Sequence, residues 1–319
     1  MHVTEIKKLA DIVKENVRRV VVGHDGWLDL LLIALIARGH VLLEDVPGMG
    51  KTLTAKALAR SIGCRANRIQ FTPDLLPSDV SGINFYNQKR GEFQFRPGAV
   101  FTNILLADEI NRATPRTQAS LLECMEERQV TIDGVTHDLE APFFVIATQN
   151  PVEIQGTFPL PEAQLDRFLM RVSIGYPSQE QGVEILSRFR RSDPLLTLEP
   201  VASAEELLAA QAAYGDVHVS DDLYVYIVDI ADKSRTHPDV TLGVSPRGTQ
   251  ALLKAAQVKA ILMAREYVLP EDVKAVAGPV LAHRIVLRSM APHGAGAVIA
   301  DILAHTPVPT EDTLFEGAK

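Results

Sequence analysis

A glycine-rich segment near the start of the chain has the residue types that bind phosphate. It follows a short apolar stretch, 40–43, and runs Val46-Pro47-Gly48-Met49-Gly50-Lys51-Thr52-Leu53. Backbone N–H groups of such a loop and of the following helix form a positive nest for phosphates, and glycines permit the positive φ angles that the nest needs. Lys51 would reach the β- and γ-phosphates, and the Thr52 hydroxyl would ligate Mg²⁺. The segment therefore predicts a binding loop for a nucleotide and Mg²⁺.

One position departs from the phosphate-loop pattern G-x-x-x-x-G-K-[ST]. Asp45 stands where the pattern has its first glycine. That glycine relieves crowding at the exit of the strand and is not a catalytic group, so we expect the change to be tolerated. An ordinary strand–turn–helix junction is the alternative interpretation. The predicted strand before the loop and the predicted helix after it favour the phosphate loop.

Two adjacent carboxylates follow a second buried strand. The segment runs Asn103-Ile104-Leu105-Leu106-Ala107-Asp108-Glu109. Ligands of an open parallel sheet bind at the carboxyl ends of its strands, so Asp108 is expected beside the phosphate loop, holding Mg²⁺. Glu109 would polarise the attacking water. The alternative is a pair of solvated acids that cap the next helix. A glutamate beside the metal-binding aspartate favours hydrolysis over transfer to a bound hydroxyl.

Strands alternate with helices in the first half of the chain, which predicts an α/β fold with a parallel sheet covered on both sides. The predicted strands are 40–43, 68–71, 104–107 and 143–147, and the predicted helices are 4–20, 25–38, a helix ending near 62, and 115–127. Segments 85–101 and 129–139 are predicted to be inserted β-hairpins. The second contains Asp133-Gly134, a tight-turn pair.

The pattern changes after Tyr176, where only helical periodicity is found. We predict helices at 178–190, 203–213, 220–235, 246–265 and 270–286. A Gly/Ala-rich stretch follows at 291–297, and the end of the chain from Thr306 is expected to be irregular. The predicted domains are therefore 1–176, which binds the nucleotide, and 177–319, a helical lid domain with an irregular tail.

Composition narrows the class of protein. The chain has 319 residues and a net charge of −8, with a pI near 5.6. This acidic balance disfavours a broad nucleic-acid-binding face. The most apolar run, 30–37, is shorter than the roughly 20 residues that span a membrane and predicts a buried helix. The N-terminus lacks the pattern of a signal peptide. We expect a cytoplasmic protein without a membrane span, with Trp27 in its core.

The chain resembles AAA+ ATPases, specifically the MoxR family, from about residue 5 to residue 290. The segments that carry the resemblance are Val41-Leu42-Leu43-Glu44-Asp45-Val46-Pro47-Gly48, Asp108-Glu109-Ile110-Asn111-Arg112-Ala113, Ala147-Thr148-Gln149-Asn150-Pro151, Gly156-Thr157-Phe158-Pro159-Leu160-Pro161-Glu162-Ala163-Gln164-Leu165-Asp166-Arg167-Phe168 and Ser245-Pro246-Arg247-Gly248. The resemblance implies a P-loop NTPase core with an αβα arrangement, ATP and Mg²⁺ as cofactors, and a helical lid.

The resemblance also implies roles for three further residues. Asn150 would hold the attacking water (sensor 1), unless it is a turn residue before proline. Arg167 matches the arginine finger that reaches the γ-phosphate of the adjacent subunit, unless it pairs locally with Asp166 or Glu162. Arg247 matches sensor 2 and would contact phosphate bound by the same chain, unless it is a surface residue at the start of a helix.

Other positions carry weaker implications. Val22 and Gly23 match a stretch that packs near adenine in the family, and Arg112 and Arg171 are candidates for further contacts to a neighbouring subunit. Ile154 stands where a polar residue is expected.

The inserted hairpins match loops that often face the pore of ring ATPases. Phe85, Tyr86, Phe93 and Phe95 would then grip a partner, or else pack against the sheet and one another.

The family implies a ring, usually of six subunits. It also implies chaperone-like remodelling of client proteins, or assembly and metal insertion, together with a von Willebrand A domain partner. The alternatives are a metal-chelatase motor subunit, a DNA-directed motor or transcription regulator, and a non-catalytic nucleotide-gated scaffold.

Overall fold

The computed structural model of the chain describes residues 1–23, 25–44, 48–150, 156–190, 193–288, 290 and 293–309. The helices are α1 (Val3–Arg18), α2 (Asp25–Ile36), α3 (Lys51–Ser61), α4 (Pro77–Ser81), α5 (Pro115–Glu127), α6 (Glu162–Leu165), α7 (Gln179–Phe189), α8 (Ala204–Ala213), α9 (Asp221–Thr236), α10 (Pro246–Leu262), α11 (Pro270–Leu281) and α12 (Ala295–His305). The strands are β1 (Val41–Glu44), β2 (Ala66–Gln70), β3 (Gly82–Asn87), β4 (Glu92–Pro97), β5 (Ile104–Asp108), β6 (Gln129–Ile132), β7 (Val135–Asp138), β8 (Phe144–Gln149), β9 (Met170–Val172), β10 (Val240–Leu242) and β11 (Val286–Leu287).

A five-stranded sheet forms the centre of the molecule, in the order β2-β5-β8-β1-β9. All neighbouring strands in it are parallel. The four strands predicted from the sequence are confirmed, and with them the α/β fold class. The edge strand β9 was not predicted, because three residues are too few to reveal a two-residue period.

Alternation along the strands supplies two cores, one on each face of the sheet. In β1, Val41 and Leu43 pack with the helices of one face, whereas Leu42 packs on the other face with residues of α5. All three are fully buried. Strands that are buried on both faces must be apolar throughout, because successive side chains point in opposite directions. Burial of both faces of the sheet therefore explains the continuous apolar runs in the sequence.

Helix α2 is enclosed within the first of these cores. Residues 30–37 are almost entirely shielded from solvent, and Trp27 is 5% exposed, as predicted. No helix in the described part of the chain combines the length and the apolar character that crossing a bilayer requires.

Both predicted hairpins are present. Strands β3 and β4 pair antiparallel, as do β6 and β7. The second turn has positive φ at Asp133 (51°) and Gly134 (80°), the type I′ geometry that an Asp-Gly pair favours. The first hairpin begins at Gly82, three residues before its predicted start, because β3 continues directly from α4.

The aromatic residues of the first hairpin divide between the two expected environments. Phe95 stacks on His137 of the second hairpin, with ring centroids 4.0 Å apart. Phe85, Tyr86 and Phe93 are exposed by 42%, 53% and 73%. Tyr86 and Phe93 contact each other edge to face across the hairpin. One aromatic side chain therefore joins the two hairpins, and three face solvent.

The lid region contains the five predicted helices but differs from the prediction in three respects. Strands β10 and β11 pair antiparallel, so the region is not purely helical. Helix α12 covers part of the stretch that was described only as Gly/Ala-rich, and α11 ends at Leu281 rather than at 286. Short strands carry too little periodicity to be detected, and α12 is stabilised by burial of Val298, Ile299 and Ile302.

The lid is anchored against the first two helices of the chain and against the edge of the sheet. Helix α10 packs on α1 and α2, and α11 packs on β9. A partly buried ion pair joins the turn after α10 to α11: Arg265 donates to both carboxylate oxygens of Asp272, at 2.7 and 2.5 Å. Asp272 also accepts from the backbone N–H of Leu269. The lid is therefore held beside β9 and the amino-terminal helices.

Candidate active site

The phosphate loop leads directly into α3. Gly48 and Gly50 have φ angles of 85° and 75°, and a Cβ at either position would meet no atom within 4 Å. The glycines are therefore required by backbone conformation and not by lack of space. Lys51 and Thr52 lie in the first turn of α3, where the N–H groups at the start of the helix and the helix dipole attract anions. Asp45, Val46 and Pro47 lie outside the described residues.

The loop borders a cavity of about 380 Å³ at the carboxyl edge of the sheet. Its lining includes the predicted residues Gly48, Met49, Gly50, Lys51, Thr52, Leu53, Asp108, Glu109 and Asn150, together with Arg68, Gln70, Thr148 and Gln149, which were not predicted. The sheet register explains this grouping. Gln70 lies opposite Asp108, and Leu43 of β1 lies opposite Thr148. Four adjacent strands thus end at one level. The last residues of β2, β5 and β8 line the cavity together with the loop that follows β1.

Asp108 is held on both oxygens. Thr148 Oγ1 donates to Asp108 Oδ1 at 2.6 Å. Arg68 donates to Asp108 Oδ2, with Nη2 at 2.6 Å and Nε at 3.2 Å. The carboxylate is partly exposed to the cavity. It offers hard oxygen ligands beside the Thr52 hydroxyl, a donor set that suits Mg²⁺.

Glu109 has a left-handed backbone, with φ 56° and ψ 49°. Its N–H donates to Thr148 Oγ1 at 2.9 Å, so the same hydroxyl that donates to Asp108 also accepts from Glu109. The Glu109 carboxylate accepts from Gln70 Nε2 at 2.8 Å and from Arg112 Nε at 2.9 Å. The Glu109 side chain makes no cap hydrogen bond to the 3₁₀ turn that follows. The helix-capping interpretation therefore does not apply to Glu109.

Sequence reasoning missed Arg68, Gln70 and Thr148, although part of the signal was present. Arg68 and Gln70 are two residues apart in a predicted strand and therefore share one side of it. Thr148 directly follows another predicted strand. What was missing was the strand order, which brings both strands beside the acidic pair.

A second cavity, of about 400 Å³, lies at the amino end of β1. Among the described residues its lining includes six cationic side chains, Arg38, Arg128, Arg167, Arg247, Lys254 and Arg284, and two carboxylates, Glu126 and Asp166. The phosphate loop follows β1, whereas Arg38 and His40 precede it. A strand of four residues separates these points by about 13 Å. We call this second space the basic cavity.

The basic cavity contains both arginines that the family resemblance singled out. Arg167 Nη1 donates to the carbonyl of Leu122 at 2.7 Å. Asp166, one of the two local partners in the alternative interpretation of Arg167, pairs with Arg284 at 2.8 Å. Arg247 forms an ion pair with Glu126.

Arg247 thus lies beside Arg167 at the opposite end of β1 from the phosphate loop. This differs from the expected contact with phosphate bound by the same chain. The cause is the docking of α10 against α1 and α2.

His40 is a neutral structural residue at the edge of this cavity. Its Nδ1 accepts from the Val145 N–H at 3.0 Å, and its Nε2 lies 3.1 Å from the Met125 carbonyl. Burial, followed by the nearby charge of Arg128, lowers the pKa of His40 to about 3. Burial also lowers the pKa of Arg284, to about 10, which leaves it charged at neutral pH. The positive charge of the cavity therefore comes from its arginines and Lys254.

The remaining predicted positions are more scattered. Val22 is buried, and Gly23 packs against the side chain of Gln181, but neither is among the residues that line the nucleotide cavity. Arg171 pairs with Glu44 at 3.4 Å. Ile154 and its neighbours 151–155 lie outside the described residues.

Comparison with known proteins agrees with this architecture. A family model described as the ATPase family associated with various cellular activities (AAA) matches residues 40–170. An AAA lid domain model matches residues 232–305. A crystal structure of a candidate ATPase from Cytophaga hutchinsonii superposes with a TM-score of 0.90 at 38% identity, covering 96% of both chains.

Curated relatives extend the match over most of the chain. The uncharacterised protein YeaC of Bacillus subtilis is 52% identical over 93% of this chain and 94% of its own length. Chaperone MoxR1 of Mycobacterium tuberculosis is 43% identical over 85% of this chain and 74% of its own length. With a phosphate loop, an acidic pair and a lid in the matching positions, the chain belongs to the MoxR family of AAA+ ATPases.

Proposed function

We propose that the chain is a Mg²⁺-dependent ATP hydrolase that works in a ring, in which the basic cavity of one subunit meets the nucleotide cavity of the next. One observation carries this proposal. The phosphate loop and the acidic pair lie at the carboxyl end of β1, whereas Arg167 and Arg247 lie at its amino end. A single chain therefore separates its phosphate loop from Arg167 and Arg247. Two copies, arranged head to tail, would bring them together.

In the nucleotide cavity, the first turn of α3 holds the phosphates and Lys51 neutralises their charge. Thr52 and Asp108 are the residues that would hold Mg²⁺, which supplies charge neutralisation of the phosphate oxygens when it is bound. Arg68 donates to Asp108 Oδ2. Mg²⁺ held by Asp108 would therefore compete with Arg68 for that oxygen.

Glu109 is the proposed general base for the attacking water, and Asn150 orients that water. Gln70 and Arg112 hydrogen-bond to Glu109. These two donors hold the Glu109 carboxylate at the wall of the nucleotide cavity.

The basic cavity supplies the charge that a phosphoryl-transfer transition state lacks. Arg167 and Arg247 would reach the γ-phosphate bound by the neighbouring subunit. Arginine fingers of other P-loop enzymes raise the rate by about 10³–10⁵. The isolated subunit is then a weak ATPase, and activity depends on assembly. Residues 1–176 serve as the nucleotide-binding core and 177–319 as the lid, and six subunits are the expected ring size.

The work done by the ring is proposed to be chaperone-like remodelling of a protein client in the cytoplasm. A relative that is 43% identical is named a chaperone. The exposed Phe85, Tyr86 and Phe93 offer an apolar surface for gripping a partner chain. A von Willebrand A domain protein is the proposed partner of the ring.

Mixing two inactive variants tests the shared site. Arg167→Ala and Lys51→Ala are each expected to lose nearly all ATPase activity. A mixture should regain activity, because the Lys51→Ala subunit can offer Arg167 to the intact nucleotide cavity of an Arg167→Ala neighbour. The wild-type rate per subunit should also rise with protein concentration. A rate that is independent of concentration, with no recovery on mixing, would contradict the shared site.

Suppression of aggregation tests the chaperone role. Thermally unfolded citrate synthase is the probe, and light scattering is the readout. Wild type with ATP should reduce scattering, and Phe93→Ala should reduce it less while its ATPase rate is retained. Tyr224→Ala, which removes an exposed aromatic side chain from α9, is the matched control. Equal loss in both variants would argue against a role for the hairpin.

A further inference from the structure

Arg284 is a cavity-lining arginine whose hydrogen bonds all remain within the chain. Its side chain is 2% exposed. Nε donates to Asp166 Oδ1 at 2.8 Å, and Nη2 donates to the carbonyls of Phe168 at 2.6 Å and of Asp166 at 3.3 Å. Nη1 donates to the carbonyls of Leu169 and Val280. A guanidinium has five N–H groups, and five oxygens accept them here. Arg284 therefore has no donor left for a phosphate.

These acceptors surround Arg167. Three of the carbonyls belong to residues 166, 168 and 169, on both sides of Arg167 in the chain. Arg284 itself lies in the short turn that follows α11. It thus ties the segment that carries Arg167 to the lid.

Asp166 makes a second connection, to the start of α10. Its Oδ2 accepts from Ser245 Oγ at 3.0 Å, while its Oδ1 accepts from Arg284. Ser245 is the N-cap of α10 and also accepts from the Gly248 N–H at 3.1 Å. Arg247 lies two residues after this cap. A Cβ at Gly248 would lie 2.8 Å from Arg284 Cδ, so the helix start packs directly on the arginine.

We propose that Asp166, Ser245 and Arg284 form a positioning cluster that holds Arg167 and Arg247 as one unit, so that movement of the lid moves both arginines together toward the neighbouring subunit. The inference rests on the proposed shared site. Its members are positioning residues, because they act on the arginines and do not touch the nucleotide. Asp166 is central to the cluster, since its two oxygens are bonded to two different parts of the lid.

In the mixing assay, Asp166→Asn can be added either to the Lys51→Ala subunit or to the Arg167→Ala subunit. Comparing the two mixtures separates an effect on arginine positioning from a general loss of stability. Asparagine keeps the volume and an oxygen acceptor but removes the charge that strengthens the bond to Arg284. In the Lys51→Ala subunit, which supplies Arg167, the change should lower the kcat of the mixture about tenfold or more, since a 1 Å misplacement can cost about 10²-fold. In the Arg167→Ala subunit it should leave the rate within about twofold, because that subunit supplies no finger. The KM for ATP should stay within about twofold in both mixtures.

Asp166→Asn removes the charge that faces the buried Arg284 and can impair folding. Ser245→Ala in the Lys51→Ala subunit is therefore the second variant. It removes one hydroxyl and should lower the mixed rate in the same subunit only, by about threefold to tenfold. Binding of a fluorescent ATP analogue and the thermal midpoint are measured in parallel.

An unchanged rate with either variant in the finger-supplying subunit overturns the cluster. So does an equal loss from whichever subunit carries the change, since that indicates a purely structural role. If the parent mixture of Arg167→Ala and Lys51→Ala has no activity, the shared site itself fails and the positioning cluster fails with it.

Discussion

Replacing Thr148 with valine tests how the acidic pair is positioned. Thr148 is 1% exposed, and its hydroxyl bonds to both acidic residues. It donates to Asp108 Oδ1 at 2.6 Å and accepts from the Glu109 N–H at 2.9 Å. Valine has almost the same shape but neither donates nor accepts. The substitution therefore removes two hydrogen bonds with little change in volume.

The expected loss follows from the two bonds and from the backbone of Glu109. A hydrogen bond to a charged group contributes about 1.5–3 kcal/mol, and a buried N–H left without a partner costs about 1–3 kcal/mol. Glu109 also has a left-handed backbone, which costs roughly 1–2 kcal/mol for a residue with a Cβ. Without the Thr148 bond, Glu109 can relax toward right-handed geometry and carry its carboxylate away from the water site. We expect stability to fall by about 2 kcal/mol, and kcat to fall about 30- to 100-fold.

Steady-state ATPase kinetics on assembled protein provide the assay, with urea unfolding and nucleotide binding measured alongside. Thr148→Ser is the matched control, because it keeps the hydroxyl and loses only a methyl group. Its kcat should stay within about threefold of wild type. A valine variant that is folded, binds nucleotide and keeps its kcat within about twofold of wild type would refute the reasoning.

Three further predictions concern charge. The pKa of His40 is lowered to about 3 in the folded state, so below its ordinary value near 6.5 only the unfolded chain takes up the proton. Stability should therefore fall by about 1.4 kcal/mol per pH unit below 6.5, or about 2 kcal/mol at pH 5. The difference in unfolding free energy between pH 7 and pH 5, measured with urea, should be smaller in His40→Gln than in wild type. Arg68→Ala frees Asp108 from a half-exposed ion pair worth about 1 kcal/mol at most. It should lower the Mg²⁺ concentration that gives half-maximal binding of ADP by up to about fivefold. An unchanged Mg²⁺ titration would contradict competition between Arg68 and Mg²⁺ for Asp108. Asp272→Ala leaves a largely buried arginine without its partner and should cost about 3–5 kcal/mol in urea unfolding. The neighbouring Glu271→Ala, on exposed surface, should cost less than about 0.5 kcal/mol.

The elements that were predicted correctly are those with a strong local signal. Helix α5 was predicted with its observed ends, because Pro115 marks its first turn and apolar residues recur at helical spacing. The hairpin turn at Asp133 and Gly134 was predicted from two residues, because their backbone preference is local. Helix α12, of 11 residues, was missed although it is long. The strands that were missed are short: β9, β10 and β11 have three, three and two residues. Their pairing is stabilised by distant strands, and no local pattern records it.

The sequence by itself determined those parts of the candidate site that form short local motifs. The phosphate loop, the pair Asp108 and Glu109, and Asn150 each follow a recognisable strand, and parallel strands must end at a common edge. Tertiary structure decided which other side chains join them. Strand order brings Arg68 and Thr148 to Asp108 from opposite sides. These contacts span 40 residues of chain.

The position of Arg247 was also decided by tertiary structure alone. Its motif is local, but the end of the sheet that it reaches depends on how α10 docks against α1 and α2. That docking arises from burial of apolar surface, which is non-directional and gives no motif of its own. The sequence therefore predicted a role for Arg247, and only the fold separated it from the phosphate loop of its own chain.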